Sequence, residues 1–198
     1  MNALAHSKWI SLPTENGDAA ISVVRDEFGR EHAAVLFGSA CANMLVRIHS
    51  ECLTGDVFSS CLCDCGTQLK ESLKLITQEQ NGLLIYLRQE GRGIGLFEKI
   101  LAYDLQKAGY DTVSANQQLG HPVDNRSYEV AAAFLQELHI DVVRLITNNP
   151  HKIDALQSHN IMVSERVPLE SKPTEANFGY LMTKYNKMGH LYNPSIPS

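Results

Sequence analysis

Residues 47–68 read R-I-H-S-E-C-L-T-G-D-V-F-S-S-C-L-C-D-C-G-T-Q and hold four of the five cysteines of the chain. These four are Cys52, Cys61, Cys63 and Cys65. Zinc binds thiolates well, and a catalytic zinc site uses three protein ligands and leaves the fourth position for water. The clustering therefore predicts a metal site, and the alternative is a set of free structural thiols.

The number of ligands depends on Cys61. If residues 63–65 are extended, alternate side chains share a face, so Cys63 and Cys65 point to one side and Cys61 points with them. Four bound thiolates make a closed centre. If Cys61 is instead a small buried apolar residue, Cys52, Cys63 and Cys65 hold a metal with one open, reactive position. Spacing alone leaves both arrangements open.

Length and composition set the bounds outside this stretch. The 198 residues are 44% hydrophobic, which is enough for a buried core, and they predict one domain over 1–190 with a loose tail at 191–198. No apolar run is long enough to span a membrane, and the first residues do not form a targeting signal, so a cytoplasmic protein without a membrane partner is expected. An odd number of clustered cysteines favours metal over disulfides there. The net charge of −5 argues against nucleic acid as a partner, so a polyanionic ligand needs local arginine and lysine.

Hydrophobic periodicity predicts an α/β fold, with a mixed β-sheet and flanking helices. Strands are predicted at 21–24, 33–38, 44–49, 82–88, 142–147 and 161–167. Helices are predicted at 67–80, from the glycine-rich turn to about Lys107, at 127–138, after N-N-P-H-K at 148–152, and at 180–190. The alternation in the later chain favours parallel pairs, while the strands and turns of the first 42 residues favour antiparallel ones.

A glycine-rich turn, R-Q-E-G-R-G-I-G-L at 88–96, opens a predicted helix. Backbone N–H groups at such a turn suit an anion, and Arg88 and Arg92 add positive charge. The pattern is neither a P-loop nor a dinucleotide-binding fingerprint, so a plain tight turn is the alternative.

Taken together, these motifs resemble GTP cyclohydrolase II. The resemblance rests on R-I-H-S-E-C-L-T-G-D and C-D-C-G, on L-R-Q-E-G-R-G-I-G-L at 87–96, on D-T-V-x-A-N at 111–116, on L-I-T-N-N-P-x-K at 145–152 and on E-R-V-P-L at 165–169. It covers roughly residues 43–190 and implies the single catalytic domain of that family. One position departs from the pattern, since the family usually has arginine immediately before the C-D-C and this chain has Leu62.

The resemblance implies a zinc-dependent hydrolase that opens the imidazole ring of GTP. The products are a diaminopyrimidine ribosyl phosphate, formate and pyrophosphate, in the first step of riboflavin synthesis. It implies one Zn²⁺ per subunit on Cys52, Cys63 and Cys65, Mg²⁺ with the triphosphate, and a homodimer.

The resemblance also assigns roles to single residues. Asp124 matches a general base, Arg126 a nucleophile in pyrophosphate release, and Tyr103 a residue that completes the hydrolysis. Since a guanidinium is a poor nucleophile, Arg126 as a phosphate clamp is an equal alternative. Substrate contacts are implied for Arg47, Ile48, His49, Ser50, Glu51, Gln68, Glu90, Gly91, Arg92, Thr112, Thr147 and Lys152.

Each assignment has a structural alternative. His49 alone is typical of a buried hydrogen-bonded histidine, and D-N-R-S at 124–127 is typical of a helix start. Two other functions also fit the sequence: a related zinc cyclohydrolase that uses another nucleotide, suggested by Leu62 and Cys61, and a non-enzymatic nucleotide-binding regulator with a four-thiolate zinc.

Overall fold

The computed structural model describes residues 4–192, and these residues form two compact units. The first, called the sheet unit, comprises the chain up to His49, Lys70–Arg88 and Ser127–Leu169. The second, called the cysteine unit, comprises Ser50–Leu69, Gln89–Arg126 and the chain from Glu170. The division of the chain into a catalytic domain over 1–190 and a tail stays a prediction, and residues 193–198 of that tail lie outside the described part.

An eight-stranded mixed sheet forms the centre of the sheet unit, which confirms the predicted α/β class. Its strands are β1 (Ala5–His6), β2 (Ile10–Thr14), β3 (Gly17–Arg25), β4 (Glu31–Phe37), β5 (Met44–Ser50), β6 (Gly82–Leu87), β7 (Val142–Ile146) and β8 (Met162–Val167). The order is β1-β3-β4-β6-β5-β7-β8, with β2 paired to β3. Pairing is antiparallel from β1 to β4 and between β4 and β6, and parallel between β5, β7 and β8.

Near-continuous apolar sequence explains the central strands. All residues of β5 from Met44 to His49 are buried, as expected for a strand covered on both faces. Helices α5 (Glu129–Glu137) and α6 (Pro150–Ser158) contribute Phe134 and Leu156 to the same core cluster as Val46. Full burial of each such side chain contributes about 1.5–3 kcal/mol.

Helix α6 begins as its sequence predicts. Pro150 stands in the first turn, and the side chain of Asn149 accepts a hydrogen bond from the backbone N–H of His151 at 3.0 Å. A capping amide and an N-terminal proline both favour a helix start, so this turn has a fixed position after β7.

The cysteine unit is helical. It contains α1 (Leu53–Asp56), the first turns of α2 (Cys65–Gln78), a 3₁₀ turn at Glu90–Gly93, α3 (Leu96–Lys107), α4 (Thr112–Gln118) and α7 (Phe178–Met188). Helix α4 was not predicted, although Asp111 is a strong cap that accepts hydrogen bonds from Val113 and Ser114. Within residues 4–192, no helix is both long and apolar enough to cross a bilayer.

Candidate metal centre and active site

The thiols of Cys52, Cys63 and Cys65 meet in the cysteine unit. Their sulfur atoms all lie within 4.8 Å of one another, and the sulfurs of Cys52 and Cys63 are 3.6 Å apart. Cys52 immediately precedes α1, Cys63 lies in the turn that follows it, and Cys65 is the first residue of α2. Cys52 and Cys63 are buried, and Cys65 is partly buried. Among the described residues, no other cluster of three or more histidine, cysteine or acidic side chains has metal-binding spacing.

The extended backbone considered as one possibility for the C-x-C does not form. Residues 61–64 form turns and bends, and α2 begins at Cys65, so alternate side chains do not share a face. Cys61 is exposed, and its sulfur lies 4.0 Å from the carbonyl oxygen of Ser59. It is therefore neither a fourth ligand nor a buried apolar residue, and the arrangement with three thiols is the one that forms.

Two glycines allow the backbone to close around the sulfurs. A Cβ added at Gly55 would lie 3.0 Å from the sulfur of Cys63 and 3.2 Å from that of Cys52. A Cβ at Gly66 would lie 2.2 Å from the carbonyl oxygen of Gly55, which is far inside contact distance. The T-G-D and C-D-C-G motifs therefore place α1 against the start of α2 with the thiols between them. Three soft sulfur donors that converge in such a closely packed site fit a zinc ion.

The protonation states of the three thiols differ. Hydrogen bonds from Cys63 and Cys65 hold the pKa of Cys52 well below its ordinary value, although burial opposes this. The hydrogen bond between Cys63 and Cys52 raises the pKa of Cys63 to about 11. Hydrogen bonds to Cys52 and Cys63 likewise raise the pKa of Cys65. Cys52 is thus the ionised sulfur, and it accepts hydrogen bonds from the thiols of Cys63 and Cys65. Binding a metal to all three sulfurs requires Cys63 and Cys65 to lose their protons.

Lys99 of α3 contacts this thiolate, and it was not predicted. Its Nζ lies 3.1 Å from the sulfur of Cys52, 3.0 Å from Oγ1 of Thr54 and 2.8 Å from Oε1 of Glu90. Burial alone would lower the pKa of Lys99, but the hydrogen bond to Glu90 and the charge of Cys52 outweigh burial and raise it. The available signal was the spacing K-x-x-x-Y, which puts Lys99 and Tyr103 on one face of a helix.

The hydroxyl of Thr54 lies between Tyr103 and the sulfur of Cys52. The Oη of Tyr103 is 3.4 Å from Oγ1 of Thr54, which is itself 3.6 Å from the sulfur of Cys52. Burial raises the pKa of the Tyr103 phenol, so it keeps its proton at neutral pH and is available as a donor. The predicted catalytic tyrosine and the predicted metal ligand are therefore brought together.

Glu90 fixes the glycine-rich turn to residues 52–65, the segment that carries the three converging thiols and is called the metal loop. Its Oε2 accepts a hydrogen bond from the backbone N–H of Leu53 at 2.6 Å, and its Oε1 accepts one from Gly91. Gly91 and Arg92 both adopt the left-handed conformation, with φ of 61° and 62°. A non-glycine residue in that conformation is uncommon and is often found at ligand sites.

The guanidinium of Arg92 lies against Tyr180. It stands 5.7 Å over the ring of Tyr180, and within residues 4–192 its Nη1 and Nη2 are buried without a hydrogen-bond acceptor. Leaving charged donors buried and unpaired is costly, so an anionic group bound at these nitrogens would be strongly favoured.

Asp124 and Arg126 form a close pair. The Nε of Arg126 donates to Oδ1 of Asp124 at 2.8 Å, and its Nη2 donates to Oδ2. Burial raises the pKa of Asp124, but the hydrogen bonds from Arg126 outweigh it and keep the carboxyl ionised. Helix α5 begins at Glu129 after Tyr128, later than the start at Ser127 that the sequence suggested.

Ser50, Gln68 and Thr112 also lie in the cysteine unit. Ser50 Oγ accepts a hydrogen bond from the Gln89 amide at 2.9 Å, and the Gln68 amide donates to Oδ2 of Asp64. Thr112 is the first residue of α4, and Glu51 is partly buried. None of these contacts by itself assigns a ligand.

Asp64, between two of the cysteines, is a buried anchor that sequence reasoning missed. It accepts hydrogen bonds from Nζ of Lys184 at 2.6 Å, from Oγ of Ser171 at 3.2 Å and from Gln68 at 2.5 Å. Burial would raise the pKa of Asp64, but the charge of Lys184 outweighs burial and lowers it. The C-D-C sequence thus supplies two of the three converging thiols and a structural carboxylate.

The sheet unit holds the other predicted substrate residues. The Nζ of Lys152 donates to the carbonyl of Ile48 at 2.8 Å, and the ring of His49 stacks on Tyr86 with centroids 5.6 Å apart. Nη2 of Arg47 lies 3.4 Å from Nδ1 of His49. These side chains are therefore ordered by contacts within the sheet unit.

Thr147 follows β7 and is buried in the loop before α6. Its Oγ1 donates to the carbonyl oxygen of Asn149 at 3.3 Å and accepts from the backbone N–H of the same residue at 3.0 Å. Its hydroxyl therefore shapes the turn that leads to Lys152.

A centre of three thiols with a protonated tyrosine and a lysine beside it has the donor set of a catalytic zinc site rather than of a closed structural one. Residues 6–168 match the family model of GTP cyclohydrolase II, and the chain belongs to that family.

The chain is also similar to curated proteins of riboflavin biosynthesis. It is 51% identical over 187 residues to the riboflavin biosynthesis protein RibBA of Bacillus cereus strain AH187, covering 93% of this chain and 47% of that protein. The RibBA proteins of Bacillus cytotoxicus and Bacillus mycoides are each 50% identical with the same coverage. The chain therefore spans about half the length of the curated relatives it matches.

The fold is shared with a solved structure. That structure is RibBX, a two-domain 3,4-dihydroxy-2-butanone 4-phosphate synthase from A. baumannii, with a TM-score of 0.50 and 18% identity. The likeness covers 86% of this chain and 41% of that one. At this level of identity it concerns the fold alone.

Proposed function

We propose that this chain is a GTP cyclohydrolase II, which hydrolyses GTP to a diaminopyrimidine ribosyl phosphate, formate and pyrophosphate. The observation that carries the proposal is the meeting of the Cys52, Cys63 and Cys65 thiols in a chain that matches the family over residues 6–168. The proposed catalytic domain covers residues 1–190. Reduced cysteines and the nucleotide substrate are both typical of the cytoplasm, which is the proposed location.

Zinc is the proposed metal, with one ion per subunit held by Cys52, Cys63 and Cys65. Bound zinc supplies Lewis acidity, which turns water into a nucleophile at neutral pH. Opening the guanine ring needs that nucleophile at C8, and release of formate needs a second hydrolysis. The protein must therefore place proton donors and acceptors around the ring.

Tyr103 is the proposed donor. Its phenol keeps its proton because burial raises the pKa, and it stands beside Thr54 next to the ligand Cys52. Asp124 is the proposed general base, since its carboxyl is ionised. Its partner Arg126 orients that carboxylate and presents a guanidinium, which suits the clamping of a phosphate better than nucleophilic attack.

The triphosphate is proposed to bind to arginine and lysine side chains together with Mg²⁺. The unpaired buried nitrogens of Arg92 support a phosphate contact on the glycine-rich turn. The remaining proposed contacts, on the resemblance to the family, are Arg47, Ile48, His49, Ser50, Glu51, Gln68, Glu90, Gly91, Thr112, Thr147 and Lys152. Magnesium neutralises part of the negative charge of the phosphates, so few lysine side chains are needed to bind the triphosphate.

A homodimer is proposed as well. Helix α3 exposes Phe97 at 74%, Ile100 at 48% and Leu101 at 40% of their surfaces, and the metal loop exposes Phe58 at 70%. The three α3 side chains share a helix face by their spacing, and an exposed apolar face favours an interface between protein chains. The mass of the particle in solution, measured by light scattering, tests this directly.

The deciding experiment incubates the zinc-loaded protein with GTP and Mg²⁺ and follows formate, pyrophosphate and the pyrimidine by mass. All three products from GTP support the proposal. If GTP is untouched while another purine nucleotide releases formate, the chain is a related cyclohydrolase of different specificity. If no nucleotide reacts with zinc bound, the proposal fails.

A further inference from the structure

We propose that Lys99 is a positioning residue for the metal centre, donating a hydrogen bond to the sulfur of Cys52 and supplying the positive charge that offsets its three thiolates. This rests on the zinc site of the proposed function and extends it to a residue outside the ligand set. The geometry is specific. Lys99 is 9% exposed, and its Nζ stands 3.1 Å from the Cys52 sulfur.

Every proton of the ammonium has an acceptor. A lysine ammonium offers three donors, and Nζ meets the Cys52 sulfur, Oγ1 of Thr54 and Oε1 of Glu90 at 3.1, 3.0 and 2.8 Å. A lysine on a helix normally extends into solvent, where it loses less side-chain entropy and keeps its hydration. Burial of this one is therefore maintained by the acceptors around it, of which the Cys52 sulfur is one.

Charge explains why a cation belongs at this point. Zn²⁺ with three thiolates carries a net charge of −1, and Cys52 and Cys63 are only 5% and 7% exposed. A buried anionic centre needs a nearby cation and hydrogen bonds to its ligand atoms. Hydrogen bonds of this kind also fix the orientation of a ligand and tune the metal it holds.

The test measures zinc affinity by competition with a chromophoric chelator, on the full chain, for Lys99→Met, Lys99→Gln and Lys99→Arg. Methionine keeps the length without charge or donor, glutamine keeps a donor, and arginine keeps both. We expect affinity to fall about 10–100-fold in Lys99→Met, less in Lys99→Gln, and to be largely restored in Lys99→Arg. Two controls, Lys187→Met and Leu62→Arg, change a surface charge and should stay within about twofold of the parent.

A spectroscopic readout separates positioning from general stability. With Co²⁺ in place of zinc, the thiolate charge-transfer band reports the Cys52 ligand, and we expect it to shift in Lys99→Met but not in Lys187→Met. If Lys99→Met does not fold, the same comparison between Lys99→Gln and Lys99→Arg decides the matter. Zinc affinity within twofold of the parent and an unshifted cobalt band in the folded variant overturn the inference, even if formate is still produced from GTP. Loss of affinity in a protein that never produces formate supports the inference while the proposed function fails.

Discussion

Cys61 and Cys63 are two positions apart in the sequence but lie in different environments in the structure. Cys63 is buried beside the sulfurs of Cys52 and Cys65, and Cys61 is exposed beside Ser59. Replacing Cys63 with serine removes a soft ligand, so we expect bound zinc to fall from about one ion per chain to near zero, with loss of formate production. Cys61→Ser is the matched control and should keep both. Zinc content by atomic spectroscopy decides it, and equal loss in both variants would contradict the three-thiol assignment.

Tyr103 allows a sharper prediction, because the resemblance links it to the second hydrolysis. Its phenol is protonated and lies 3.4 Å from the hydroxyl of Thr54. Tyr103→Phe keeps the ring and removes the donor, so we expect formate release to drop by about 100-fold or more. GTP consumption should fall less, so that a ring-opened formamide accumulates. Mass spectrometry of the products, with Tyr110→Phe as a control, tests this; unchanged formate release would exclude the role.

Lys99 and Asp64 are the residues at the site that the sequence did not reveal. A lysine in an amphipathic helix and an aspartate between two cysteines are both expected in solvent, because composition gives no sign of a buried partner. Those partners come from distant positions: Lys99 meets Cys52, and Asp64 meets Lys184. The thiol ligands, by contrast, were predictable, since their chemistry is explicit in their residue type.

At the scale of elements, periodicity predicted the long strands and helices to within a few residues, as for α2 and β6. Periodicity gave no sign that helix α2 starts at Cys65, inside the C-x-C, where an extended backbone was one possibility. It also missed α4, a helix of only seven residues whose start depends on Asp111 rather than on an apolar stripe. Short elements are specified by caps and contacts, which a hydrophobic pattern does not record.

Helix α7 lies beyond the matched family segment, which ends at residue 168, yet it secures the metal loop. The ion pair between Lys184 and Asp64 is 2.6 Å long, and the two side chains are 12% and 2% exposed. Lys184→Met leaves a buried carboxylate without its counter-ion, so we expect a loss of about 3 kcal/mol in the free energy of unfolding.

The control for that variant is Lys187→Met on the same helix. Its ion pair with Asp111 joins side chains that are 50% and 33% exposed, and a pair of that kind contributes about 1 kcal/mol or less. Urea unfolding of both variants gives the comparison, and zinc affinity measured alongside shows whether the loop is loosened. If Lys184→Met loses no more free energy of unfolding than Lys187→Met does, helix α7 does not stabilise the site.

At the scale of the whole molecule, we expect stability to decrease in acid. The backbone N–H of Arg88 donates to Nδ1 of His32, so the proton of the neutral ring is on Nε2, toward Asp26. Burial lowers the pKa of His32. Burial would raise the pKa of Asp26, but the hydrogen bonds from His32 and Arg30 outweigh burial and lower this pKa to about 2. A folded-state pKa below the unfolded one means that the unfolded chain binds protons more tightly. The stability is therefore present at neutral pH and is lost below about 6.5 for His32 and below about 4 for the carboxylate.

Urea unfolding in the presence of a chelator, at a series of pH values, measures this without interference from zinc. Below about pH 6.5 the free energy of unfolding should fall more steeply in the parent than in His32→Gln, because only the parent has a buried histidine to protonate. The two slopes should agree above that pH. Equal slopes from neutral pH to about 4 would contradict the buried neutral state of His32.

The predicted single domain over 1–190 can be tested through zinc itself. The three proposed zinc ligands belong to the cysteine unit, while the single tryptophan of the chain, Trp9, packs against the core cluster of the sheet unit. A ligand that binds only the folded state raises stability with its concentration, by about 2.7 kcal/mol at 100 times its dissociation constant. If the chain unfolds as one domain, zinc must raise the midpoint seen by Trp9 fluorescence as much as the midpoint seen by helical circular dichroism. Cys63→Ser should abolish both shifts. A shift in circular dichroism alone would mean that the two units unfold separately, and the single-domain prediction would then be wrong.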